Sequence, residues 1–237
     1  NGNVGIGVDS PDSYYSKRLV VSAPDENGIT IVGTTSSINY LMFADGTSGD
    51  ATYRGYMSYD HADDSMLFAT AATNRLRIDS SGLIQIGNAG SASSPTIQSL
   101  IDPDTGIFFA GADILGFSTG GTERMRLDAS GNLLVGKTAT GLGNQGAELS
   151  ATGQLKGTAS NQVVAYLNRT SSDGTIAEFR KDNATVGSIG AVGGDLAIYS
   201  SSTSHAGLRF AINAYLPTNN AGTVVDATTD FGTGAYR

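Results

Sequence analysis

Asp60-His61-Ala62-Asp63-Asp64 is the densest group of ligand-type side chains in the chain. Its carboxylates and imidazole could hold a hard cation such as Ca²⁺ through oxygen ligands, which makes Asp60, Asp63 and Asp64 the candidate metal ligands. The competing reading is a solvated turn whose aspartates accept bonds from backbone amides. Asp102-Pro103-Asp104-Thr105-Gly106 mimics the start of a calcium loop, but no Glu stands at the spacing of the bidentate ligand, so a turn is expected there too. Polysaccharide cleavage would need two carboxyl groups roughly 5–10 Å apart in a groove. Glu123, Asp128, Glu148, Glu178 and Asp195 are available, and the first two lie inside a repeated unit, which favours packing or a turn. There is no tryptophan on which a sugar ring could stack. His205 stands alone in a Ser/Thr run and reads as a surface residue. A nucleophile elbow, a P-loop and a dinucleotide fingerprint are all missing. No catalytic residue and no cofactor is assigned, and a non-enzymatic protein is expected.

Tyrosine offers a different chemistry. Tyr14, Tyr15, Tyr40, Tyr53, Tyr56 and Tyr59 concentrate in the first quarter of the chain. A tyrosine can stack on a sugar or anchor a protein contact at little entropic cost. In a strand it serves equally well as a half-buried sheet residue.

The elements that must carry these side chains are strands and turns. Glycine, with 32 residues, is about twice its usual share of roughly 7%, while proline numbers only 5. Charged residues make up 15% of the chain and hydrophobic ones 39%, the opposite of the balance that favours disorder. The net charge of −8 argues against a nucleic-acid partner, which would require clustered Lys and Arg. No cysteine is present, so no disulfide or thiolate site stabilises the fold. No apolar run approaches the roughly 18 residues of a membrane span, and Asn1 is not followed by a basic-then-apolar leader. Neither a membrane insertion nor a secretory signal is expected. The start in mid-repeat suggests a piece of something longer.

Self-similarity organises the chain. Arg75-Leu-Arg-Ile-Asp-Ser-Ser-Gly-Leu-Ile-Gln-Ile-Gly87 recurs 49 residues further on as Arg124-Met-Arg-Leu-Asp-Ala-Ser-Gly-Asn-Leu-Leu-Val-Gly136. Its second half appears again at the start, as Gly2-Asn-Val-Gly-Ile-Gly7. Each copy reads as an alternating strand, an Asp-x-Ser-Gly turn and a second strand. The arginines at 75, 77, 124 and 126 are expected to pair with the adjacent Asp79 and Asp128.

Helical periodicity is nearly absent. Short strands are expected at 18–22, 29–33, 38–43, 53–59, 66–70, 75–79 and 83–87, and again at 106–109, 114–119, 124–128 and 133–136. Further strands are expected at 162–168, 175–180, 185–190, 196–199 and 208–212. Asn27-Gly28, Ser81-Gly82, Gly120-Gly121 and Ser130-Gly131 are among the turn signals. The expected fold is all-β with negligible helix, built of short hairpin and meander modules. Such strands are short for a self-sufficient core. Packing three copies about an axis would bury their apolar faces without exposed edges, so an elongated, intertwined homotrimer is expected, a β-prism or triple-β-helix-like shaft. Three segments follow: 1–88, a stub and first β-module; 89–137, a second β-module; and 138–237, a linker and third β-module.

Several stretches resemble modules of bacteriophage tail fibres and related virion fibres. They are Gly55-Tyr-Met-Ser-Tyr-Asp-His-Ala-Asp-Asp-Ser-Met-Leu-Phe68 with the Asn74–Gly82 run after it, Asp102-Pro-Asp-Thr-Gly-Ile-Phe108, and Phe117-Ser-Thr-Gly-Gly-Thr-Glu123 leading into the second repeat. Ser172-Asp-Gly-Thr-Ile-Ala-Glu-Phe-Arg-Lys-Asp182, with Val186-Gly-Ser-Ile-Gly190 and Gly207-Leu-Arg-Phe210, is similar too. The ending Asp230-Phe-Gly-Thr-Gly-Ala-Tyr-Arg237 resembles the segment that precedes a C-terminal intramolecular chaperone of the endosialidase type. The resemblance implies a trimeric, β-rich shaft or receptor-binding segment, located on the virion and extracellular. Its implied partners are other tail or baseplate proteins and a host surface glycan or protein. It implies a chaperone that was cleaved or lies outside this sequence. A polysaccharide-degrading tailspike and a bacterial cell-surface adhesin remain open as alternatives.

Overall fold

The computed structural model describes residues 3–8, 10–13, 19–25, 28–201, 207–212 and 214–225. Gly2, Tyr14, Tyr15, Arg18, Asn27, His205 and the ending at 230–237 lie outside the described residues. The chain divides into two units, Asn1–Lys156 and Gly157–Arg237. Among the described residues it is all-β, with two short 3-10 turns and no helix long and apolar enough to cross a membrane.

The first unit begins with a parallel pair, β1 (Val4–Ile6) and β2 (Leu19–Val21). A five-stranded antiparallel meander follows: β3 (Ile38–Phe43), β4 (Gly55–Asp60), β5 (Ser65–Thr70), β6 (Thr73–Ile78) and β7 (Ile84–Ile86). A 3-10 turn at Gly49–Tyr53 connects β3 to β4. The next sheet repeats this plan and extends it. It comprises β8 (Ile97–Gln98), β9 (Gly106–Gly111), β10 (Ile114–Thr119), β11 (Thr122–Leu127), β12 (Leu133–Val135), β13 (Gly146–Leu149) and β14 (Leu155–Thr158). The second unit holds another five-stranded meander: β15 (Gly174–Lys181), β16 (Ala184–Val192), β17 (Asp195–Ser200), β18 (Gly207–Ala211) and β19 (Ala214–Thr218). Strands thus continue well past residue 137, where the composition suggests the end of the second module. The 29–33 and 162–168 stretches form no strand.

The repeated unit folds the same way twice. Asp79 Oδ1 accepts the amides of Ser81 and Leu83 at 2.9 and 3.0 Å, and Asp128 Oδ1 those of Ser130 and Asn132 at 2.9 and 2.8 Å. This turn leaves the third residue after the aspartate in the left-handed region, where Gly82 (φ 79°) and Gly131 (φ 80°) sit. The aspartates therefore cap the turn and do not pair with the arginines, contrary to the expectation from their adjacency. Arg75 and Arg124 are the extra residues of β-bulges that interrupt the β5–β6 and β10–β11 registers at the same place. Each places Nε 3.0 Å from a threonine hydroxyl, Thr70 or Thr119, across the hairpin. Arg77 pairs instead with Asp63 at 2.7 Å, and Arg126 with Glu123.

The core is small. Among the described residues the buried apolar side chains are Val20, Ala69, Pro95, Phe108, Leu134 and Ala197.

Candidate functional site

Side chains paired across antiparallel strands share a face, so register sorts each sheet into two sides. In the first sheet one row reads Leu41, Met57, Phe68, Leu76, Ile86. In the second the equivalent row reads Ile97, Ile107, Phe117, Met125, Val135, Ala147, beside Phe109, Leu115, Leu127, Leu133 and Leu149. In the third, Ala177, Ile189, Ile198, Leu208 and Pro217 align. Each of these three sheets thus presents an almost wholly apolar face. These faces are left open: Leu41 is 51% exposed, Leu149 49% and Ile198 45%. Open apolar sheet faces of this extent mark interaction surfaces in soluble proteins.

The opposite sides differ. On the second sheet the paired row is Phe108, Gly116, Arg126, Leu134 and Glu148. Glu148 and Lys137 are buried, their side chains 1% and 3% exposed. Glu148 Oε2 lies 3.0 Å from Lys137 Nζ and accepts the Gly141 amide at 2.9 Å, while Oε1 meets Lys156 Nζ at 2.7 Å. Lys137 Nζ also donates to the Gly141 carbonyl at 2.8 Å. Lys156, then the Gly141 amide and Lys137, hold the Glu148 carboxyl down to about 2 from its usual 4.5. A carboxylate held this firmly in its charged form is a structural clamp; it has no proton to donate near neutral pH.

On the first sheet the corresponding side carries Tyr40, Met42 and Tyr56, and the 3-10 turn brings Tyr53 beside them. These residues line an open concavity of about 300 Å³. The Tyr40 and Tyr56 rings meet edge to face, with centroids 5.6 Å apart. Tyr53 donates to Asp50 at 2.8 Å and Tyr56 to Asn74 at 2.6 Å. The Asp50 carboxylate raises the Tyr53 hydroxyl above its usual range by accepting that bond.

The three metal candidates are not brought together. Asp60 accepts the Ala62 amide at 2.9 Å, Asp63 meets Arg77, and Asp64 accepts the Tyr59 hydroxyl at 3.0 Å. The Ser65 hydroxyl, followed by Arg77, holds Asp63 below the usual carboxylate range. Asp64 has φ 52°, and Asp113, in the equivalent turn of the second sheet, has φ 59°. Left-handed backbone at a hairpin turn, which Asp tolerates, accounts for both. Among the described residues no group of three or more His, Cys, Asp or Glu side chains converges. At the other candidate loop, Asp102 raises the Asp104 carboxyl through a shared hydrogen bond.

The remaining carboxylates each serve a protein partner. Glu123 accepts from Nε and Nη2 of Arg126, one edge of the guanidinium, through its two carboxylate oxygens, and Asp195 meets Arg209 at 2.7 Å. Glu178 accepts the Thr185 hydroxyl at 2.8 Å. The Glu148 clamp escaped sequence reading because its two lysines lie 11 and 8 residues away, in different loops and strands. No protein-family model, curated protein or solved structure matches the chain.

Proposed function

We propose that this chain is a structural and receptor-binding segment of a bacteriophage tail fibre, assembled as a homotrimer that projects from the virion towards the host surface. The observation that carries the reading is the apolar face repeated on three successive sheets. Two further copies placed about a shared axis would cover each such face with its own equivalents, a closed arrangement that leaves no face unpaired. The tail-fibre assignment itself rests on the resemblance of the repeated motifs. The mechanism is mechanical. Interchain burial makes unfolding slow, so the segment persists as a stiff spacer outside the cell. Several fibres on one particle multiply weak contacts into firm attachment.

Mass photometry of the purified chain tests the assembly. A trimer is expected, and a monomer at micromolar concentration overturns the reading. Phe68→Asp and Phe117→Asp each place a charge mid-face and are expected to dissociate the trimer to the same degree. Locating the chain in images of an intact particle tests the fibre assignment.

A further inference from the structure

We propose that the concavity lined by Tyr40, Met42, Tyr53 and Tyr56 binds a neutral hexose or short neutral saccharide. The inference rests on the fibre reading only in that the apolar face is then taken up by assembly, which leaves this opposite side to the solvent. Its own support is local. Tyr40 and Tyr53 are 39% and 36% exposed, so ring surface is available at the floor and wall. The hydroxyls of Tyr53 and Tyr56 are tied to Asp50 and Asn74, which fixes the ring planes before any ligand arrives. Preorganised rings lose little entropy on binding. The tie also leaves polar capacity at the rim: Asp50 keeps further acceptor sites, and Asn74 carries an amide N–H₂. A saccharide presents the matching pair of surfaces, apolar C–H bonds on one ring face and hydroxyls around the edge.

Charge narrows the class. None of the lining residues is cationic. The nearby Arg54 faces Asp45, Nε to Oδ2 3.5 Å, and Arg75 faces Thr70. An acidic sugar would therefore meet Asp50 without a counter-charge, whereas a neutral one loses nothing. The volume of about 300 Å³ stands at the lower end of ligand pockets and suits one or two sugar rings. The second sheet has no equivalent. Gly106 takes the place of Tyr56, and any side chain there would collide with the Ile97 carbonyl.

Saturation-transfer NMR on the full chain with methyl glycosides of glucose, galactose and N-acetylglucosamine, and with sialic acid, reads the site directly. Transfer to at least one neutral glycoside is expected, and about tenfold weaker binding in Tyr53→Ala and Tyr40→Ala. Tyr215→Ala, in the second unit, is expected to leave binding unchanged. Tyr56→Phe keeps the ring but frees Asn74, so it separates loss of stacking from loss of orientation. Transfer to none of the neutral glycosides, transfer to sialic acid alone, or binding that survives both alanine variants overturns the proposal. Mass photometry of the same samples keeps the two readings apart. A trimer that ignores every sugar sinks the site alone, and a monomer that binds one sinks the assembly alone.

Discussion

The first and second sheets are two versions of one design. Their apolar faces match position for position, down to Phe68 and Phe117, and so do the bulged arginines and the Asx turns. Their other faces have diverged. On that side the first sheet pairs Ser58 with Leu67, and the second pairs Phe108 with Gly116. Bulk has changed strands while the pair has kept its sum. A Cβ on Gly116 would come within 2.6 Å of the Phe108 ring, so the glycine is what allows the phenylalanine to be buried. The first sheet stops at β7, whereas the second adds β13 and β14 and the ionic clamp that holds them. The face held constant is the one assigned to assembly; the face free to vary is the one on which a pocket or a clamp can be built.

The largest test of that contrast is Glu148→Leu, which strips Lys137 of its buried partner. It is expected to lower the melting temperature of the second sheet by roughly 10 °C. Hydrogen exchange should then show β12 no better protected than β7. Acid gives a second handle on the same group. Its carboxyl is depressed to about 2 from 4.5, so its contribution is complete above pH 4.5 and drains away as the pH falls towards 2. The second sheet should therefore lose its advantage over the first in that window, as followed by exchange or calorimetry.

Next in size is the exchanged pair. Gly116→Leu alone is expected to destabilise by about 2 kcal/mol through overpacking. Adding Phe108→Ser, which copies the first sheet, should restore most of that loss in denaturant titrations. Additive losses would mean that the two sheets do not share the packing described. The smallest effect concerns the β5–β6 and β10–β11 turns. Ala71 and Ala72 have φ of 52° and 56°, where the second copy has Gly120 and Gly121 at 56° and 68°. Left-handed alanine is strained. Ala71→Gly with Ala72→Gly should stabilise the first sheet by about 1 kcal/mol, and Gly120→Ala with Gly121→Ala should weaken the second by at least as much. Thermal unfolding of the two double variants decides it.

These particulars show where the sequence could be read. Alternation placed β3 and β10 at their observed ends, and the Asp-x-Ser-Gly turns were legible because their chemistry is local. Ala71-Ala72 carries no turn signal, so that hairpin was found only from the strands on either side. β19 was missed because Pro217 argues against a strand, yet β19 is an edge strand, where proline is tolerated. β13 was missed because Glu148 breaks its apolar pattern, and the partners that make a buried glutamate tolerable come from elsewhere in the chain. Asp60, Asp63 and Asp64, weak metal candidates beside the favoured reading of a solvated turn, are a related case. Proximity in sequence put the three carboxylates together, and the turn points each at a different neighbour. The Tyr40, Tyr53 and Tyr56 grouping depends on register across β3 and β4 and on the 3-10 turn, neither of which composition reveals.

The turn between β4 and β5 has one further consequence. Four residues, 61–64, separate the paired Asp60 and Ser65, whereas two, 112–113, separate Gly111 and Ile114. Downstream of this turn the two copies run at a constant offset to the end of the repeat. The duplicated chain has thus changed length at this hairpin end, by two residues in the turn and by one at Ala110, the bulge that β9 carries and β4 lacks, and it keeps step from β5 and β10 onward. This hairpin end works as the expansion joint of the module: a stretch that lengthens or shortens without shifting a single apolar side chain to the wrong side of the sheet.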